Sequence, residues 1–173
     1  MGGVIIRRVA VAGIVLAGML ALGGCDGSPA PAESTPPFAS EEEAFAAAEE
    51  TYRAYVDALN ARRHDSSASP SPADFLTAAA LEADLSAQEQ LRENGIRIAG
   101  DTRVDAFEGR SWDGTAGTSL VCLDATDTQV LNDEGVDVTP PDRELRSTLR
   151  IGFVLSAPRV LISSTESAGE SIC

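Results

Sequence analysis

Three cysteines, a single histidine and no lysine set the limits on what this chain can do chemically. All 13 basic residues are arginine, so a Schiff base, a phosphate-loop lysine and a pyridoxal-phosphate anchor are excluded. His64 stands among Arg62, Arg63, Asp65, Ser66 and Ser67, a polar stretch, so a histidine triad or a histidine-rich metal site would depend on that one side chain. The acids Asp124, Asp127, Asp133, Glu134 and Asp137 invite a calcium loop, but the alternating ligands, the glycine and the closing glutamate do not come in the required order. A solvated acidic hairpin is the better account, and no cofactor or metal is expected. Arg143, Arg146 and Arg150 could recognise an anion, although cross-strand pairing with acids explains them more simply. With 27 acids against those 13 arginines, a net charge of -14 and a pI near 4.3, nucleic acid is excluded as a partner.

The first segment reads as an address. Arg7 and Arg8 precede an apolar run from Val9 to Leu22, shorter than the roughly 20 residues that span a bilayer core. Leu22-Gly23-Gly24-Cys25 follows and closely resembles the bacterial lipobox, in which the cysteine thiol receives a diacylglyceryl group and becomes the first residue of the mature chain. The resemblance implies a signal peptide over residues 1–24, lipidation at Cys25, and export to the outer face of the cell membrane. Cleavage there removes two arginines and no acid, so the mature protein is more acidic still. Acyl chains, not electrostatics, must then hold it to the membrane. Residues 25–40 form a tether: Pro29, Pro31, Pro36 and Pro37 fall in a stretch with little to bury. Extended at ~3.1 Å per residue, it would reach roughly 45 Å from the lipid.

Residues 41–173 read as one domain. Ser40 and Glu43 have the spacing of a capping box, and Phe45, Ala48, Tyr52, Tyr55, Val56 and Leu59 then recur at three- and four-residue steps, so a helix runs to about Asn60–Arg63. Ser71, Pro72 and Asp74 start a short helix to about Ala79, and a longer one continues to Asn94, stopped by Gly95. Strands are expected at Ile96–Phe107, Thr118–Ala125, Leu145–Leu155 and Val160–Ser164, with a turn at Asn132–Gly135 joining residues 129–131 to 136–138. Helices first and meandering strands afterwards argue an α+β fold, helices packed on an antiparallel sheet.

The helix bearing Tyr52 and Tyr55, the helical segment ending at Gly95, Val121-Cys122-Leu123-Asp124 on a strand, the turn at Gly135 and the terminal Cys173 together resemble the nuclear transport factor two-like lipoproteins of high-GC monoderm bacteria. That resemblance implies a curved antiparallel sheet wrapped against the helices in a cone whose open end can be a pocket. The chain departs from it in the last strand, where an aromatic, often Trp, is common and Val160–Ser164 has none.

With Cys25 given to lipid, Cys122 and Cys173 remain as an even pair in an exported domain, so a disulfide closing roughly 50 residues is expected, and it fastens the C-terminal tail. Tyr52, Tyr55 and Trp112 are candidate ligand or partner contacts. The two tyrosines also sit on the apolar stripe of their helix, and Trp112 lies in the turn-like Gly109–Gly117. Some cone-fold domains are isomerases, dehydratases or cyclases that use an Asp or His base, but fold does not transfer activity. No acid is clearly directed inward on the strand parities: Asp105 could share a face with Phe107 and Asp124 one with Cys122, but neither has an identifiable acid partner. The expectation is a lipid-anchored envelope protein with a non-catalytic domain that binds an envelope protein or a small apolar ligand. An enzyme of the same fold and a structural accessory domain are the alternatives.

Overall fold

Ser40 opens the first helix, α1 (Glu41–His64), by accepting from the Glu43 amide at 3.2 Å. Glu43 reaches back one residue further than a standard box and accepts from the Ala39 amide at 2.7 Å. Three glutamates in the first turn and Arg62, Arg63 and His64 in the last suit the helix dipole. Ala44, Ala48, Tyr52 and Val56 repeat every four residues and are buried, so one face of α1 faces the core. The structure, a computed structural model, describes residues 38–173; the expected signal peptide, Cys25 and the expected tether through residue 37 lie outside the described residues.

Ser71 and Asp74 cap each other's backbone around a 3-10 turn, Pro72–Phe75. Thr77 then starts α2 (Ala78–Glu93), and its own amide donates to the Ile162 carbonyl at 2.9 Å. Gly95, with φ of +63°, ends α2 as expected.

The expected strand over residues 96–107 divides in two. β1 (Ile96–Ala99) stops at Gly100, which has φ of +78° and lies so close to the Asp127 carbonyl that a side chain there would collide with it. β2 (Arg103–Trp112) restarts in a different sheet. β3 (Ala116–Asp124), β5 (Arg146–Ser156) and β6 (Arg159–Ser167) follow β2 in spatial order, all antiparallel. β4 (Gln129–Asn132) pairs with β1 in a small second sheet. The turn at Asn132–Gly135 forms, and residues 136–138 run antiparallel along β4: the Asn132 amide donates to the Val136 carbonyl at 3.0 Å and the Val138 amide to the Val130 carbonyl at 2.8 Å, around a bridge between Leu131 and Asp137. The architecture is α+β, with two helices packed on antiparallel sheets. Register shifts near Asp105, Arg110 and Ser163 bend the larger one.

One face of the four-stranded sheet holds the core. Val121, Ile151 and Ile162 pack with Tyr52, Val56 and Leu76, while Phe153 and Val160 pack with Ala48. Gly109 and Gly117 make room for rings: a side chain at Gly109 would overlap Phe45, and one at Gly117 would come within 2.5 Å of Phe153. The segment Gly109–Gly117 is therefore mostly strand, and its turn is confined to residues 113–115. There Asp113 accepts from the Thr115 and Ala116 amides at 2.8 Å each.

On the opposite face Leu120 and Cys122 are also buried, because the C-terminal tail crosses them. Cys122 and Cys173 form a disulfide. The Ile172 amide donates to Thr148 Oγ1 at 3.0 Å, and Glu170 pairs with Arg150 at 2.9 Å.

Candidate functional site

The space where a ligand fits follows from the composition of α2. Its half-buried stripe is Ala80, Leu81, Asp84 and Gln88, and none of its residues is fully buried. Two of the four are polar and one is alanine, so the stripe cannot fill the interface with α1 and β6. Two adjoining hollows result. One, of about 360 Å3, lies between α2 and β6 and is lined by Tyr55, Leu76, alanines of α2 and Ser163–Thr165. The other, of about 610 Å3, lies between α2, the end of α1 and β1, where Leu59, Arg62, Arg63, Leu91 and Ile98 form its wall. Tyr55, Asp84 and Ala87 belong to both. Both volumes fall in the range of small-molecule sites, roughly 300–1,000 Å3.

The polar groups here are held from two helices. Asp84 Oδ2 accepts from Arg62 Nη1 at 3.3 Å and from Gln88 Nε2 at 2.5 Å, and its side chain is 16% exposed. Burial raises the Tyr55 phenol to about 12, with the Asp84 charge adding to the rise and Arg62 and Arg63 opposing it. Tyr55 is therefore a neutral hydroxyl at any ordinary pH. Arg63 Nη1 donates to Asn60 Oδ1 at 3.2 Å, to the Gly100 carbonyl at 3.0 Å and to Thr102 Oγ1 at 3.0 Å. Burial lowers the Arg63 pKa, with the Asp101 charge working against that.

Of the three aromatic candidates, only Tyr55 lines these hollows. Tyr52 is 1% exposed and belongs to the core, where burial pushes its phenol up. Trp112 closes β2 rather than standing in a loop. It stacks on Phe153 with centroids 5.6 Å apart and planes 11° from parallel, and Phe38 meets it edge-on at 5.9 Å. Phe38 belongs to the stretch expected to bury little, yet its ring joins this cluster. Phe38 also borders a further hollow of about 530 Å3, with Phe75 and Val160.

The acids singled out from the sequence lie elsewhere. Asp105 sits at the β2 bulge, so it does not share the face of Phe107; it pairs with Arg146 at 3.0 Å. Asp124 does share the face of Cys122, accepts from the Thr126 amide at 2.8 Å, and meets Arg146 at 3.4 Å. The Thr126 hydroxyl and amide, with Arg146, hold its carboxyl below the usual range. Arg146 and Arg150 are thus engaged across strands or by the tail, and Arg143 holds the Ala125 and Thr128 carbonyls. Among the described residues no cluster of three His, Cys, Asp or Glu could hold a metal, and no helix is long and apolar enough to cross a membrane.

Sequence reasoning missed Asp84. The available signal was its place on the inward stripe of α2, between Leu81 and Gln88, where an apolar residue is expected.

No family model matches the chain, and no curated protein matches it. Among solved structures it is similar to Aln2 from a Streptomyces species, at 14% identity and a TM-score of 0.44, over 74% of this chain and 92% of that one.

Proposed function

We propose that this chain is a lipid-anchored protein of the cell envelope whose α+β domain binds a small, partly apolar ligand between α1 and α2 without transforming it. The observation that carries the binding reading is the unfilled interface of α2, bordered by a neutral tyrosine and by Asp84 and the two arginines. The lipobox at Leu22–Cys25 supports the anchor, and the tether supports a domain held away from the lipid. Helices followed by six antiparallel strands, four of them in one sheet bent by register shifts, fit the nuclear transport factor two-like resemblance.

An enzyme of the same fold is the second reading, and one observation favours it: Asp84 and Tyr55 share the hollow, a carboxylate beside a hydroxyl. Binding is preferred because Asp84 Oδ2 already accepts from Arg62 and Gln88, and no second acid borders the hollow to form an acid/base pair.

The test is native mass spectrometry of protein extracted gently from its own membranes, compared with the denatured sample. An extra mass lost on denaturation, and absent from an Ala87→Trp variant that fills the hollow, is the expected result. A bare chain in both samples would overturn the binding reading. For the anchor, Cys25→Ala should move the protein from membrane to soluble fractions, and unchanged retention would reject lipidation at that residue.

A further inference from the structure

The arginines at the larger hollow define the chemistry of what it holds. In a chain with twice as many acids as arginines, Arg53, Arg92, Arg103, Arg110, Arg146 and Arg150 each hold a carboxylate. Arg63 does not. Among the described residues its hydrogen bonds all go to neutral oxygens and all leave from one nitrogen, Nη1. Asp101, whose charge acts on Arg63, is engaged by His64 at 2.9 Å. Arg62, beside it, shares Asp84 through a single contact of 3.3 Å. Two guanidinium groups and one carboxylate therefore border a hollow whose other wall is Leu59, Leu91 and Ile98. Leaving a half-buried guanidinium without an anion is costly, and its planar fork matches a carboxylate.

Resting on the reading of this hollow as a ligand site, we propose that it takes a small organic carboxylate with an aryl or alkyl body. The head sits on Arg63 and Arg62, and the body lies against Leu59, Leu91 and Ile98. The charged groups lining the hollow are two arginines and Asp84, which suits a single carboxylate. The acidity of the whole chain repels multiply charged anions more strongly.

The probes are 4-phenylbutyrate and its uncharged amide, measured by equilibrium dialysis against the protein purified from its own cells. The acid should bind at least about tenfold tighter than the amide, the least that a charge-assisted pair contributes. Arg62→Gln should erase that preference, and Arg62→Lys should keep part of it. Arg63→Gln should erase it too, but Arg63 also holds Gly100 and Thr102, so the two Arg62 variants decide the matter, with folding checked by circular dichroism. Equal binding of acid and amide, or a preference that survives Arg62→Gln, overturns the carboxylate assignment and leaves the hollow as a site for neutral ligands. Binding of the acid that Ala87→Trp does not weaken places it elsewhere and overturns the proposal. Binding of neither probe overturns the assignment. If Ala87→Trp also leaves a natively retained mass unchanged, the hollow itself is not the site.

Discussion

Reduction of the disulfide between Cys122 and Cys173 should destabilise the domain by about 4 kcal/mol. The bond joins residues separated by 51 positions, and closing a loop of that size removes about 14 cal/mol/K from the unfolded chain, which is that figure at 25 °C. Native-state contacts act in the same direction. The tail bond from Ile172 to Thr148 and the pairing of Glu170 with Arg150 persist only while the tail lies on the sheet, and buried Leu120 and Cys122 depend on that cover. A domain of this size has a total stability of roughly 5–15 kcal/mol, so the loss is a large share of it. The unfolding midpoint should fall by roughly 10–15 °C. Urea unfolding with and without a thiol reductant reads this directly, and Trp112, the only Trp, reports it through its fluorescence because it stacks on Phe153 in the core. Cys173→Ala should reproduce the reduced curve without opening a cavity at Cys122. A loss under about 1 kcal/mol would refute the argument, since the loop constraint would then be worth no more than one ordinary hydrogen bond.

Phe38→Ala should cost about 1–2 kcal/mol and shift Trp112 emission to longer wavelength, because the ring that meets Trp112 edge-on is lost; unchanged emission would mean that residues before Ala39 do not pack on the domain. Ser119→Ala should be neutral or stabilising by up to about 1 kcal/mol, since the Ser119 hydroxyl is fully buried with no hydrogen-bond partner among the described residues. A clear loss in urea unfolding would reveal a partner. Phenolate absorbance should show neither tyrosine ionising near its ordinary value of about 10. The folded pKa of Tyr55, about 12, is raised, so its contribution is fully present below the unfolded value and is lost as pH rises towards 12. Titration of either tyrosine near pH 10 in folded protein would contradict its burial.

Most elements were legible because their signals are local. Ser40 and Glu43 announce α1, Gly95 ends α2, and the alternation through Ile151 and Phe153 marks β5. The cysteine pairing followed from parity and the expected export. What misled was any boundary set by a distant contact. Gly100 breaks the strand over residues 96–107 because the Asp127 carbonyl lies against it, and Trp112 is a strand residue because Gly117 leaves room for Phe153 beneath it.

The sequence by itself determined the cap and turn chemistry, the helix-then-strand order, the exclusion of lysine chemistry and the linear motif on which the lipobox reading rests. Those properties reside in neighbouring residues and survive in an unfolded chain. Only the tertiary structure decided the site. Tyr55 and Arg62 on α1 meet Asp84 on α2 across more than twenty residues of chain, and the gap between them exists because the α2 stripe carries alanine, aspartate and glutamine against a surface they cannot fill. An unfilled volume belongs to the packing of several elements at once, so no single segment encodes it.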